Sequence, residues 1–215
     1  MIKRVIFIRT GETEWNKRER WQGWVAVPLN ANGKAQASSL ARFIRHMGVK
    51  AIYSSDLRRA VETADPIARE TGLEPVYDAR LRERSVGLWQ GLTLTEIREW
   101  YGEEYQALLT DRESFKIPGG ESRAEVRTRV IESFREIMKQ NKGETIAVVS
   151  HTTAILTMLV DLIPSYDPTG VDLDNTSVTT IRCDDDGKWV IVAVDDTLHL
   201  EGLPSSAVGE LEENR

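Results

Sequence analysis

Val5-Ile-Phe-Ile-Arg-Thr-Gly-Glu-Thr-Glu-Trp-Asn16 decides the fold: four apolar, β-prone residues run straight into a polar loop that contains a glycine. Consecutive apolar residues without alternation suit a strand covered on both faces, as in a parallel sheet between helical layers. In open α/β sheets the chemistry gathers beyond the carboxyl ends of such strands. Arg9 and Thr10 stand at that end.

Working outward, Ala37, Leu40, Ala41, Ile44 and Met47 recur at helical spacing and Gly48 is placed to end the helix. Residues 50–54 read as a short strand and 57–70 as a second helix, which Pro66 is expected to kink or restart. Strand, helix, strand, helix is a right-handed βαβ pattern. From 75 to 120 the periodicity is poor, apart from a helix opened by the capping box Thr93-x-x-Glu96, so an insertion or lid is expected there. A second box, Ser122-Arg-Ala-Glu125, opens a helix with Val126, Val130, Phe134, Ile137 and Met138 on one face. Thr145-Ile-Ala-Val-Val149 is another buried strand; it delivers Ser150 and His151 to an apolar helix over 153–162. Residues 177–183 and 188–194 alternate as strands of a hairpin turned at Asp184-Asp-Asp-Gly187. The pattern predicts an α/β fold, a three-layer α/β/α sandwich with a mostly parallel central sheet and a lid insertion at about 84–122. A single domain over 1–200 is expected, with 201–215 as a flexible tail.

Composition narrows the function classes. With 215 residues, 40% of them hydrophobic, a sizeable single core is within reach. No run approaches the roughly 18 apolar residues of a membrane span, and no signal peptide is visible. The lone Cys183 allows no internal disulfide, so a cytoplasmic protein is expected, with no membrane partner. A net charge of -6 argues against a nucleic-acid partner. Trp15, Trp21 and Trp24 crowd the first loop and read as anchors of that loop rather than as platforms for bases. There is no histidine or cysteine cluster at metal spacing, no Walker loop and no dinucleotide fingerprint, so no metal and no cofactor is expected. Homo-oligomerisation is left open.

Three strand-to-helix turns place Arg9 and Thr10, Arg58 and Arg59, and Ser150 and His151 at equivalent strand ends, where they should converge. Paired guanidinium forks suit phosphate oxygens, and phosphoryl transfer is mostly positioning and charge stabilisation. A lone arginine would read as a surface ion pair, and a lone histidine at a strand end as a cap.

Arg9-Thr10-Gly11-Glu12-Thr13-Glu14-Trp15-Asn16 resembles the signature of the histidine phosphatase superfamily, also called phosphoglycerate mutase-like, and the resemblance runs from about residue 3 to 182. Arg9 matches one phosphate-binding arginine of that family, and Arg59, within Ser54-Ser-Asp-Leu-Arg-Arg-Ala-Val-Glu-Thr-Ala64, matches the other. Glu83, in Leu81-Arg-Glu-Arg-Ser-Val-Gly-Leu-Trp-Gln-Gly91, matches the acid that protonates the leaving oxygen, and His151 the second histidine. Asn16, Gln22 and Gly23 match loop positions that contact phosphate or substrate. Pro118-Gly-Gly-Glu-Ser122 and Asn175-Thr-Ser-Val178 are further family marks. The resemblance implies a phosphomonoesterase acting on a small phosphorylated metabolite, with inorganic phosphate as a ligand.

One position departs. Where the family has its phospho-accepting histidine, this chain has Thr10. A threonine hydroxyl needs an adjacent base to attack, and a phosphothreonine ester would hydrolyse slowly. Ala26, where relatives commonly carry aspartate, and Thr152-Thr153, where glycines are usual, are lesser departures. Four readings follow: a phosphatase whose nucleophile was replaced so that substrate is trapped, a phosphatase using water with His151 or Glu83 as base, a non-catalytic binder, and an interaction protein that keeps only the fold. The chain is short for a cofactor-dependent phosphoglycerate mutase, which favours the phosphatase branch over a mutase-type phosphotransferase.

Overall fold

The computed structural model describes residues 3–141 and 143–203. In chain order the elements are β1 (Arg4–Arg9), α1 (Glu14–Lys17), α2 (Ala31–Ile44), β2 (Ala51–Ser54), α3 (Arg58–Thr71), β3 (Pro75–Tyr77), α4 (Leu94–Trp100), α5 (Gly102–Thr110), α6 (Arg123–Gln140), β4 (Thr145–Ser150), α7 (Thr152–Leu162), β5 (Val178–Cys183) and β6 (Trp189–Asp196). From residue 204 on, the expected tail lies outside the described residues. Among the described residues no helix is long and apolar enough to cross a membrane.

The strands form one sheet in the order β3-β2-β4-β1-β5-β6, parallel from β3 to β1 and antiparallel at both β5 pairings. The unalternating apolar run of β1 is explained by two cores. Val5 and Phe7 pack with Ile146 and Val148 toward α6 and α7, whereas Ile6 and Ile8 pack with Ala147 and Val149 toward α2 and α3. All four β1 residues are fully buried, and each contributes about 1.5–3 kcal/mol of hydrophobic stabilisation. This is the three-layer α/β/α arrangement with a mostly parallel sheet.

Both capping boxes form, with Thr93 accepting from the Glu96 N–H and Ser122 from the Glu125 N–H. Pro66 does not restart α3, which is one uninterrupted helix closed by Gly72 in the left-handed region. A proline removes one N–H rung, and the rest of the ladder and the buried Ala60, Ala64 and Ile67 face hold the helix. Two elements between 75 and 120 escaped sequence reading. β3 has only three residues, too few to show a period, and α5 packs against a local aromatic centre instead of the sheet. That centre is the fully buried Trp89, ringed by Trp21, Tyr101, Tyr105 and Phe115 at 5.6–6.4 Å between ring centroids.

His199 is buried against the Phe43 ring, with Nε2 3.1 Å from Thr176 Oγ1. Burial lowers its pKa from 6.5 to about 4, with Asp196 opposing. The unfolded chain therefore binds the proton first as pH falls. This contribution to stability is complete above about pH 6.5 and is lost between there and about pH 4. Urea unfolding at stepped pH should show that fall, and His199→Gln, which keeps a polar partner for Thr176 without titrating, should make it shallower. An identical slope in the variant would assign the fall to other groups.

Candidate active site

β4 lies between β1 and β2, so the three carboxyl ends adjoin. The Thr10 N–H donates to the Ser150 carbonyl at 3.1 Å and the Ser55 N–H to the Val149 carbonyl at 2.9 Å. Beyond these ends opens a cavity of about 270 Å³ whose lining includes Arg9, Thr10, Asn16, Gln22, Gly23, Arg59, Glu83 and His151. The structure thus brings Arg9, Thr10, Asn16, Gln22, Gly23, Arg59, Glu83 and His151 to one place. Arg58 and Ser150, expected beside Arg59 and His151, turn elsewhere. Arg58 is exposed and bonds Glu62 at 2.8 Å, and Ser150 Oγ donates to the Leu81 carbonyl at 2.7 Å. Successive residues project in different directions on a helix and to opposite faces of a strand, so Arg59 and His151 face the cavity without their neighbours, whereas Arg9 and Thr10 both line it.

Arg59 is buried, and its guanidinium donates to the Gly23 carbonyl at 2.9 Å and the Val25 carbonyl at 3.1 Å. Burial lowers its pKa to about 10, Glu83 opposes that shift and Arg9 adds to it. Gly23 needs to be glycine here: φ is +51°, and a Cβ would stand 2.8 Å from Val86 Cγ2. Arg9 pairs only loosely, at 3.4 Å, with the exposed Asp172.

His151 is buried, and burial first, then Arg59, Arg129 and Arg9, push its pKa well below the usual 6.5. The imidazole is therefore neutral at pH 7. Its Nε2 lies 2.9 Å from Ser55 Oγ, which fixes the ring. Ser55 went unnoticed in the sequence, although the Ser54-Ser55 pair ahead of the arginines was its signal.

Among the described residues Glu83 is the one carboxylate on the cavity wall. Its Oε1 accepts the Arg84 N–H at 2.6 Å and its Oε2 the Thr153 N–H at 3.1 Å. Its carbonyl accepts from the Trp24 indole at 2.6 Å and from Arg129 at 2.8 Å. Trp24 is thus a loop anchor, with the Arg82 and Arg129 guanidinium groups 5.0 and 5.7 Å from its ring centroid.

Thr10 is buried at the mouth of β1, and its carbonyl accepts the Thr176 N–H at 3.2 Å and Asn175 Nδ2 at 3.0 Å. This is the physical content of the Asn175-Thr176-Ser177 mark. Asn16 commits Oδ1 to the Thr13 N–H and hydroxyl, at 3.0 and 2.9 Å, which turns its amide nitrogen toward other partners. Gln22 Oε1 is buried without a hydrogen-bond partner.

Arg84 also lines the cavity and was missed. It is buried, donates to the Glu121 carbonyl at 2.7 Å and the Phe115 carbonyl at 2.9 Å, and has a pKa lowered to about 10 by burial and by Arg123. Among the described residues four arginines line the cavity, Arg9, Arg20, Arg59 and Arg84, with a neutral imidazole and one carboxylate, and Arg20 is already paired with Glu96 at 3.0 Å. The site suits a doubly charged anion.

Residues 5–197 match the family model described as histidine phosphatase superfamily (branch 1). Over 200 residues the chain is 38% identical to phosphoglycerate mutase-like protein 4 of Arabidopsis thaliana, covering 92% of this chain and 86% of that one. It is 34% identical over 208 residues to phosphoserine phosphatase 1 of Hydrogenobacter thermophilus, covering 93% and 95%. Among solved structures, a histidine-to-alanine mutant of phosphoserine phosphatase from Entamoeba histolytica in complex with phosphoserine gives a TM-score of 0.80 at 32% identity, covering 92% of this chain and 98% of that one.

Proposed function

Because the chain belongs to branch 1 of the histidine phosphatase superfamily, we propose that its cavity is a phosphomonoester site of the phosphatase type. Turnover of a small phosphorylated metabolite there is held back by Thr10, which occupies the place of the phospho-accepting histidine. The observation that carries this reading is the convergence of Arg9, Arg59, His151 and Glu83 around the Thr10 side of the cavity. The Entamoeba relative supports it, since it holds phosphoserine with one histidine replaced by alanine.

In this mechanism Arg9 and Arg59 clamp the non-bridging oxygens, and neutral His151, held at Nε2 by Ser55, contacts the transferred group. Glu83 protonates the leaving oxygen. Asn16, Gln22 and Gly23 border the substrate. An imidazole at residue 10 would accept the phosphoryl group and release it readily to water, because the phosphoramidate is labile. The Thr10 hydroxyl would need a base to activate it, and its ester would persist. Thr10 itself favours a second reading, a non-catalytic binder of phosphorylated ligands using the same clamp. A mutase-type phosphotransferase is less supported, since it too must return a phosphoryl group from residue 10. Segment 84–122 acts as the lid of a single domain in this proposal, and the lone Cys183 suits the cytoplasm.

Calorimetric titration with inorganic phosphate at neutral pH tests the site. Saturable one-to-one binding is expected, and absence of binding would overturn the proposal. In a Thr10→His background, Glu83→Gln should slow hydrolysis of alkyl phosphates far more than that of p-nitrophenyl phosphate, whose leaving group needs no proton. Equal slowing of both substrates would remove Glu83 from the acid role.

A further inference from the structure

Thr176 is fully buried, and its backbone stands in the left-handed region at φ +61°. That region is costly for a β-branched residue, which keeps it only where its surroundings hold it there. The conformation has a use. From it the Thr176 N–H reaches the Thr10 carbonyl at 3.2 Å, beside Asn175 Nδ2 at 3.0 Å, and the carbonyl of Ser177 accepts the Arg9 N–H at 3.2 Å. One loop therefore holds the main chain of both Arg9 and Thr10.

The hold on Thr176 comes from His199, in a single turn of 3-10 helix at Leu198–Leu200. The Thr176 hydroxyl donates its one proton to the Asn175 carbonyl at 2.7 Å, so the imidazole Nε2, 3.1 Å away, carries the hydrogen and donates to Oγ1. Nδ1 then presents only a lone pair, and it is buried without a hydrogen-bond partner among the described residues. His199 is itself fixed from α2, where Ser39 Oγ donates to its carbonyl at 2.5 Å and the Phe43 ring lies 5.7 Å from the imidazole. The same helix meets the chain just after residue 10, where Gln36 Oε1 accepts the Glu12 N–H at 3.0 Å. α2 thus braces the first loop directly, and residue 10 through His199 and Thr176.

We propose that His199 is a positioning residue of the phosphate site: its Nε2–H holds Thr176 in the left-handed conformation from which the loop fixes the main chain of Arg9 and Thr10. The inference rests on the phosphate-site reading above for what those two residues do, and it adds to that site a residue outside the cavity lining.

The test is amide hydrogen exchange, read by NMR on the full chain. His199→Leu keeps bulk against Phe43 and loses the donor, and it should speed exchange of the Thr176 amide relative to the β2 amides by about fivefold to tenfold, the worth of one hydrogen bond. His199→Gln, whose side-chain amide can donate to Oγ1, should restore most of that protection. In a Thr176→Gly background, where the left-handed conformation carries no strain, His199→Leu should add no local acceleration. Inorganic phosphate at about a hundred times its Kd should slow the Thr176 amide of His199→Leu by about a hundredfold, because an opening that frees residue 10 also releases the anion. Should His199→Leu not fold, Ser39→Ala removes only the tether from α2 and should give a smaller acceleration at the same amide. Acceleration spread equally over β2, or equal in His199→Leu and His199→Gln, reduces His199 to a packing residue and overturns the inference. A Thr176 amide that phosphate leaves unchanged, in a variant that still binds phosphate, also overturns it and leaves the phosphate-site reading standing. A parent chain that binds no phosphate overturns both.

Discussion

Thr10→His is expected to raise turnover of p-nitrophenyl phosphate by about 10³ to 10⁵, the contribution of a single essential group in phosphoryl transfer. Nucleophile, clamp and acid act as a unit, so loss of one removes most of the rate whatever remains around it. The remaining parts are assembled in the structure: Arg59 is fixed by two carbonyls, His151 by Ser55, and Glu83 by two backbone N–H groups. The backbone of residue 10 is held from both sides, by the Ser150 carbonyl and by Thr176 with Asn175, so an imidazole there would leave the chain in a set direction. The physical obstacle is room, because Thr152 and Thr153 also line the cavity. Quenching in acid and in alkali should reveal an acid-labile phosphoenzyme. A folded, phosphate-binding Thr10→His protein without phosphoenzyme or turnover would sink the phosphatase reading in favour of the binder.

Arg59→Ala should weaken inorganic phosphate binding by roughly a hundredfold, since it deletes charge-assisted bonds in a site largely removed from water. Two effects combine. The anion loses its buried partner, and the carbonyls of Gly23 and Val25 lose the donor that positions the loop carrying Gln22. Arg59→Lys separates them: it keeps the charge without the planar fork, and should fall between wild type and alanine. Unchanged phosphate affinity in Arg59→Ala, measured calorimetrically, would remove the clamp from the account.

Much of this was legible in the residues. Val5 to Ile8 announced a strand with two covered faces, and Ser122 with Glu125 announced the start of α6, because burial and capping write local patterns. The convergence of Arg9, Arg59 and His151 followed from their places at strand ends. Ser55 and Arg84 did not, because their roles depend on contacts made across 96 residues in one case and 37 in the other. Pro66 does not restart α3, because tertiary packing decides where a propensity rule alone would break the helix.

The hold on residue 10 is made by main-chain atoms and by the side chain of Asn175, with none of these contacts using the residue 10 side chain. In evolutionary terms, the hydrogen bonds that hold this backbone do not depend on what side chain that codon encodes, although the space around it does. A lineage carrying threonine there can lose turnover while selection for ligand binding preserves the rest of the site. On the proposed reading, recovery starts at one codon and is complete where Thr152 and Thr153 leave room for the imidazole.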